Sequence, residues 1–172
     1  MINVCHNKET NMTNVVPLQP HLNRYFPQES DLYFPIWTRP VAFLGKDGYP
    51  YKNPKYKAIV RISQPSNKPI QIGMVGHNYK VLRMKDLCTQ IEKQLTESLE
   101  HKELDRVKVV DQISYNGAML FRQYIFRNLK VDISDRSDSM FRVIVVNSYD
   151  GSTCFKMYCG SINSYCSNGQ IS

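Results

Sequence analysis

The chain has 172 residues, 42% of them hydrophobic, and a net charge of +7 at pH 7. That much hydrophobic sequence can bury a core, which excludes a chain that is disordered throughout. Its apolar runs all fall short of the roughly 20 residues of a membrane span, and its five cysteines include no Cys-x-x-Cys pair, so neither a membrane protein nor a disulfide or zinc scaffold is predicted.

Prolines organise the first part of the chain, because all nine lie between Pro17 and Pro69. Residues 1–30 are polar and aperiodic, which predicts a flexible N-terminal arm, and residues 31–172 are predicted to form a single α+β domain. Extended loops and short edge strands are expected over residues 31–55, since proline fixes φ and lacks an amide donor. Within them, Gly45–Gly48 predicts a turn.

The middle of the chain predicts strands followed by one helix. Alternation over Tyr56–Ser63 predicts a strand. Two further short strands, Ile70–Val75 and Asn78–Leu82, are predicted around a turn at Gly76–His77. From Asp86 to about Leu104 an apolar stripe at helical spacing predicts the main helix.

Two hairpins are predicted in the second half of the chain. Asn-Gly and Asp-Gly dipeptides between alternating segments are the signal for tight hairpin turns. The paired strands are Arg106–Tyr115 with Ala118–Asn128, and Phe141–Tyr149 with Thr153–Gly160. Asp132–Asp138 is predicted to be a loop, and a turn is predicted at Asn168–Gly169 in the tail. The fold class that follows is α+β, with a bent antiparallel sheet of six to eight strands and one main helix packed on a face.

Positive charge is concentrated in residues 39–85, which hold ten Lys/Arg and one acid, Asp47, for a net +9. Tyrosines are interspersed there, and aromatic faces stack unpaired bases while cations neutralise phosphates. Residues 86–105 instead hold six acids and two lysines. We therefore expect the helix to face away from a polyanion or to cover the basic surface.

Fifteen residues are candidates for nucleic-acid binding. They are Arg39, Lys46, Tyr49, Tyr51, Lys52, Lys55, Tyr56, Lys57, Arg61, Lys80, Arg83, Lys85, Arg122, Tyr124 and Arg127. The last three lie on the predicted strand Leu120–Arg127, for which two alternatives stay open. Either one face exposes arginine beside aromatics as a platform for bases, or both faces are buried and the arginines reach the edge of the sheet.

No catalytic residue, metal ligand or cofactor is predicted. The sequence lacks the glycine-rich phosphate loops and the hydrolase, metalloprotease and kinase motifs. Residues 147–152, Asn-Ser-Tyr-Asp-Gly-Ser, are typical of a turn whose side chains bond to local backbone. Asp132, Asp135 and Asp138 lack the glycine and glutamate of a calcium loop.

Three stretches carry a family resemblance: VGHNYKVLRMKDL (Val75–Leu87), SYNGAMLFRQYIF (Ser114–Phe126) and VNSYDGSTCFKMYCGSINSYCSNG (Val146–Gly169). They resemble a phage/plasmid-like family described only as a domain of unknown function, although Tyr149 stands where that family commonly has His. In size and composition the chain is also similar to Drc-type single-stranded-DNA-binding cofactors of phage RNA polymerase. The resemblance implies an origin in a phage or mobile element, and the cysteine pattern, which fits reduced thiols, then favours the host cytoplasm as location.

These features together predict a non-enzymatic, phage-encoded protein that binds single-stranded DNA with little sequence preference. As a transcription cofactor it would recruit phage RNA polymerase to melted promoters, and exposed sheet edges favour a homo-oligomer. One alternative is an inhibitor or host-takeover factor whose basic face binds an acidic host protein. The other is a novel metal-dependent nuclease, for which the sequence shows no clustered carboxylates.

Overall fold

The computed structural model describes residues 24–63, 66–131 and 139–163. Within them the protein is α+β. Seven strands and two helices are formed: β1 (Ile36–Leu44), β2 (Pro50–Ile62), β3 (Pro69–Gly76), α1 (Met84–Ser98), α2 (His101–Leu104), β4 (Val107–Ser114), β5 (Met119–Val131), β6 (Ser139–Ser148) and β7 (Lys156–Asn163). Short 3-10 turns occupy Asp31–Tyr33 and Tyr115–Gly117. The predictions for residues 1–23, for the 132–138 loop and for the tail after residue 163 lie outside the described residues.

The strands form two antiparallel sheets, which corrects the prediction of one bent sheet. The first sheet has the order β1-β2-β3 and the second the order β4-β5-β6-β7. The predicted strand Asn78–Leu82, which would have extended the first sheet, is wrong. Its polar groups bond instead to the end of β6: the hydroxyl of Tyr79 donates to the Ser148 carbonyl at 3.4 Å, and Asn147 Nδ2 donates to the Leu82 carbonyl at 3.0 Å.

The main helix begins earlier and ends sooner than the sequence predicts. It runs from Met84 to Ser98, and extended backbone at Leu99 and Glu100 separates it from α2. A capping box explains the break, because the side chains of Glu100 and Glu103 accept from each other's backbone N–H groups at the start of α2.

Both predicted hairpins of the second half are confirmed. β4 and β5 pair from Val107 with Phe126 to Ser114 with Met119 around the Asn116–Gly117 turn, where Asn116 has φ +56° and Gly117 has φ +98°. β6 and β7 pair on either side of a longer loop. In that loop Ser148 Oγ donates to the Thr153 carbonyl at 2.7 Å, which is the local turn bonding that the sequence predicts.

The core packs α1 on one face of the second sheet and also includes residues of the first sheet, such as Ile59 and Val75. Leu87 and Cys88 of α1 are buried with Leu120 and Phe126 of β5 and with Val145 of β6. The predicted packing of one main helix on a sheet face is therefore confirmed. Phe26 also belongs to this core, since its ring meets that of Tyr124 edge-on with centroids 5.6 Å apart.

Gly73 of β3 lies against the turn that follows β6. A Cβ atom on Gly73 would lie 2.6 Å from Asp150 Cα and 2.7 Å from the Tyr149 carbonyl oxygen. Both are backbone atoms that no side-chain rotation can move. The hairpin turn after β6 therefore rests directly on β3 because residue 73 has no side chain.

Gly73→Ala should lower the free energy of unfolding by about 1–3 kcal/mol, the usual penalty for overpacking a well-packed site. The matched control is Gly76→Ala in the same strand, where an added Cβ meets no atom within 4 Å. Urea unfolding of both variants checks this. Equal stability of the two would show that β3 and the turn separate at little cost.

Candidate nucleic-acid interface

The β1–β2 hairpin extends beyond the third strand of its sheet. β3 pairs with β2 from Ile62 only as far as Tyr56, whereas β1 and β2 continue to pair from Val41 with Asn53 to Leu44 with Pro50. Every residue from Ala42 to Lys52 is exposed except Gly45, which is half-buried. We call residues 41–53 the arm.

A proline and a register shift mark the base of the arm. Pro40 pairs with Lys57, but the next residue, Val41, pairs with Asn53, so residues 54–56 have no partner on β1. Pro54 lies in this unpaired stretch, which explains how a proline fits into the middle strand of the sheet. Such a bulge bends a ribbon and increases its twist.

The predicted turn Gly45–Gly48 closes the tip of the arm. The N–H of Gly48, at φ +79°, donates to the Gly45 carbonyl at 3.0 Å. Asp47, the one acid of the basic segment, accepts from the Tyr49 N–H at 3.1 Å and from the Tyr51 hydroxyl. The hydrogen bond from Tyr51 lowers the pKa of the Asp47 carboxyl, so this charge is present at neutral pH and is held close to the turn.

Three aromatic rings are exposed on the arm. Tyr49 is 70% exposed, Tyr51 47% and Phe43 58%. The rings of Phe43 and Tyr51 stack with centroids 6.0 Å apart and an interplanar angle of 26°. The sequence prediction missed Phe43, although its position opposite Tyr51 follows from a hairpin closed at Gly45–Gly48. Exposed and mutually supported rings can accept a stacked base.

Lysines flank these rings. Lys46 and Lys52 are exposed on the arm, and Lys55 is exposed in the unpaired stretch at its base. Neighbouring residues of a strand point to opposite faces, so Lys52 lies on the face opposite Tyr51. The arm therefore presents positive charge on one face and a ring pair on the other.

The next candidate residues divide between the two faces of the first sheet. Arg39 pairs with Ala58, which puts Arg39 on the same face as Tyr56, and both side chains are exposed. Lys57 is half-buried and pairs with Val75, which is buried, so it lies on the inner face. Only Arg39 and Tyr56 thus continue the exposed surface from the arm.

Lys80 and Arg83 are exposed in the segment that leads from β3 into α1, and Lys85 is exposed in the first turn of α1. The backbone N–H of His77 donates to the Lys55 carbonyl at 2.8 Å, which fixes the start of this segment beside the base of the arm. Arg83 and Lys85 lie further along, where they line a cavity of about 180 Å³ with Tyr149. Of the three residues, Lys80 is the nearest in sequence to His77, which is hydrogen-bonded beside the base of the arm.

Arg122 and Tyr124 are placed in the core, which corrects their predicted role as an exposed platform. Both side chains have 0% relative exposure. Nε and Nη2 of Arg122 donate to the two carboxylate oxygens of Asp111 at 2.7 Å each, and Nη1 donates to Glu92 Oε1 at 2.9 Å and to the Tyr33 hydroxyl. The Tyr124 hydroxyl donates to the same Glu92 oxygen at 2.8 Å. The period-two face that carries these residues packs under α1.

This buried cluster joins β4, β5, α1 and the 3-10 turn at Tyr33. Burial raises the pKa of the Glu92 carboxyl, against the opposing effects of the hydrogen bond from Tyr124 and the charge of Arg122. Burial likewise raises the pKa of Tyr124, whose proton is held toward Glu92. These groups hydrogen-bond to one another, so we interpret the cluster as a structural one that stabilises the fold.

Two further candidates lie away from the arm. Arg61 faces inward, with its Cζ atom 4.3 Å from the centre of the Phe34 ring. Arg127 is exposed in β5, in the sheet that does not carry the arm. The candidates on the arm or on the surface that continues from it are Arg39, Lys46, Tyr49, Tyr51, Lys52, Lys55 and Tyr56, and the structure adds Phe43. Lys80 follows the segment that His77 fixes beside Lys55.

No protein-family model, curated protein sequence or solved structure matches the chain. The family resemblance therefore stays an expectation from the sequence. Among the described residues, neither helix has the length and apolar character to cross a membrane. The same residues contain no group of three or more His, Cys, Asp or Glu side chains arranged to hold a metal ion.

Proposed function

We propose that this protein binds single-stranded DNA with little sequence preference, through the arm and the surface at its base. The observation that carries the proposal is the exposed ring set of Phe43, Tyr49 and Tyr51 on a projecting hairpin that also exposes Lys46 and Lys52. Cations that follow phosphates and rings that stack bases are the two parts of sequence-tolerant single-strand binding. Bases can stack on such rings only where the two DNA strands are separated, which favours single-stranded over duplex DNA.

The proposed role follows from the family resemblance together with this binding mode. The protein is a phage-encoded transcription cofactor that holds melted promoter DNA and brings a phage RNA polymerase to it. The acidic surface of α1 and α2, or another copy of the chain, supplies the protein contacts. Asp86 and Asp105 are exposed acids that support this division between a basic arm and an acidic helical surface.

Fluorescence anisotropy with a labelled oligonucleotide, single-stranded or duplex, tests the proposal at two salt concentrations. We expect tighter binding of the single strand, with a log–log salt slope of about −0.7 for each phosphate neutralised. Equal affinity for both forms, or no binding, would contradict single-strand recognition.

A matched pair of variants locates the interface in the same titration. Tyr49→Ala removes an exposed arm ring and should weaken binding by roughly 1–3 kcal/mol if that ring stacks one base. Tyr115→Ala removes a ring that is 75% exposed but lies in the β4–β5 turn, and it should leave the affinity unchanged. Equal losses from the two variants would place the site elsewhere.

A second candidate function is binding to an acidic host protein, as an inhibitor or takeover factor. The observation that favours it is Leu44, an aliphatic side chain that is 75% exposed on the arm and that suits a protein surface better than a base. Capture of host proteins with and without nuclease treatment separates the two functions. Retention that survives nuclease supports the protein partner, and loss supports the nucleic acid.

A further inference from the structure

Arg61 is a half-buried cation, and two of its guanidinium nitrogens have no hydrogen-bond partner in the described structure. Its Nε and Nη1 atoms are both buried, and neither has a partner among the described residues. Buried charged nitrogens are normally paired, because the loss of water is otherwise uncompensated. The contrast is Arg122, whose guanidinium is also buried but donates to Asp111, Glu92 and Tyr33.

The surrounding chain holds the Arg61 guanidinium in place without pairing it. The Phe34 ring lies 4.3 Å from its Cζ atom, which is a cation–π contact. On another side is Gly117, where an added Cβ would come within 2.6 Å of Arg61 Nη1 and 2.8 Å of the Phe34 ring. Gly117, with φ +98°, has no side chain and so leaves space for the Arg61 guanidinium. The guanidinium is held by packing but forms no ion pair with any residue that the structure describes.

Arg61 also lines an open cleft of about 620 Å³ between the β4–β5 hairpin and the segment before β1. A cleft of this size accommodates a small ligand. Asp31 lies on its wall as well, is exposed, and forms no ion pair with Arg61 in the described structure. The cleft is therefore a preformed pocket whose one cation forms no ion pair with the acid on the same wall.

We propose that this cleft binds one phosphate group through Arg61. A guanidinium supported by an aromatic ring is a charged donor well suited to a phosphate oxygen. Because Nε and Nη1 are buried, Nη2 is the nitrogen that donates to the phosphate. The site is separate from the arm, because Arg61 faces inward from the opposite end of β2. The phosphate comes either from the free ion or from the terminal phosphate of an oligonucleotide.

Thermal unfolding in millimolar inorganic phosphate, against sodium chloride of equal ionic strength, tests the site. Phosphate should raise the Tm of the wild-type protein by mass action. It should also raise the Tm of Lys68→Gln, which removes an exposed charge outside the cleft. Arg61→Gln should lose this response, with affinity for phosphate reduced at least about tenfold. A response retained in Arg61→Gln, or absent from the wild type, overturns the proposal.

A second measurement keeps the test decisive if Arg61→Gln does not fold. Phosphate titrated into the wild-type protein should produce a saturable shift of the Gly117 amide in NMR spectra, since Gly117 contacts the guanidinium. Asp31→Asn, which removes the carboxylate from the wall, should tighten this binding. The proposal is contradicted if the Gly117 shift does not saturate. It is also contradicted if Asp31→Asn binds phosphate no more tightly than the wild type.

Two oligonucleotides distinguish the source of the phosphate. If the terminal phosphate is the ligand, a 5′-phosphorylated single strand should bind about tenfold more tightly than its 5′-hydroxyl form, and Arg61→Gln should abolish the difference. Equal binding of the two strands, with the response to inorganic phosphate intact, assigns the cleft to the free ion. The phosphate measurements contain no DNA, so they stand or fail independently of the proposed function.

Discussion

Arg122→Met should lower the free energy of unfolding by about 3–5 kcal/mol, because it leaves the Glu92 and Asp111 carboxylates without their cation. Methionine preserves much of the apolar volume, so the loss comes from unpaired charge rather than from a cavity. The Tyr33 and Tyr124 hydroxyls cannot replace a full positive charge. Urea unfolding monitored by circular dichroism measures the effect.

The control is Arg127→Met on the same strand, where the side chain is exposed. A surface change of this kind should alter stability by no more than about 0.5 kcal/mol. At a temperature where Arg122→Met is fully folded, its affinity for single-stranded DNA should equal that of the wild type. A folded Arg122→Met that has lost affinity would restore Arg122 to the binding surface and would contradict the structure.

Lys46, Lys52 and Lys55 changed together to Gln should reduce affinity for single-stranded DNA strongly and should flatten its salt dependence. If each lysine neutralises one phosphate, the magnitude of the log–log slope falls by about 0.7 per lysine, or about 2 in total. The three side chains are exposed on the arm or at its base, so their removal leaves the core unchanged. Anisotropy titrations over a range of salt concentrations provide the slopes.

The matched control changes Lys68, Lys108 and Lys156 together to Gln. These three lysines are also exposed but lie outside the arm, so the control has the same net charge as the arm variant. A change in long-range attraction alone would affect the two triple variants equally. Equal slopes would therefore show that the arm makes no phosphate contacts of its own.

Local signals in the sequence predicted both hairpins of the second half and the turn of the β1–β2 hairpin, but not the length of β1 and β2, and the predicted strand Asn78–Leu82 was wrong. Asn116–Gly117 and Gly45–Gly48 both close antiparallel pairs, because left-handed backbone at a glycine depends on only a few neighbouring residues. The break between α1 and α2 was missed because a capping box at Glu100 competes with an apolar stripe that continues past it. The division into two sheets depends on contacts between distant segments, and hydrophobic periodicity along the sequence carries no information about those contacts.

The candidate binding residues were predicted only in part, because which face of a strand is buried also depends on contacts between distant segments. Period two correctly put Arg122 and Tyr124 on one face of β5, but both faces of that strand mix arginine with aromatic residues. The signal that identifies the buried face is in α1, where Glu92 falls in the stripe with Cys88 and is buried. An acid on the apolar side of a helix requires a buried cation as its partner.

The unpaired stretch 54–56 separates the exposed arm from the ion cluster under α1. Substitutions in distant groups that share no partner are generally additive. Under the proposed binding mode, affinity for DNA depends on the arm and resistance to unfolding depends on the ion cluster, so substitutions in one are expected to leave the other unchanged. Changes in the arm would then alter binding at little cost in stability.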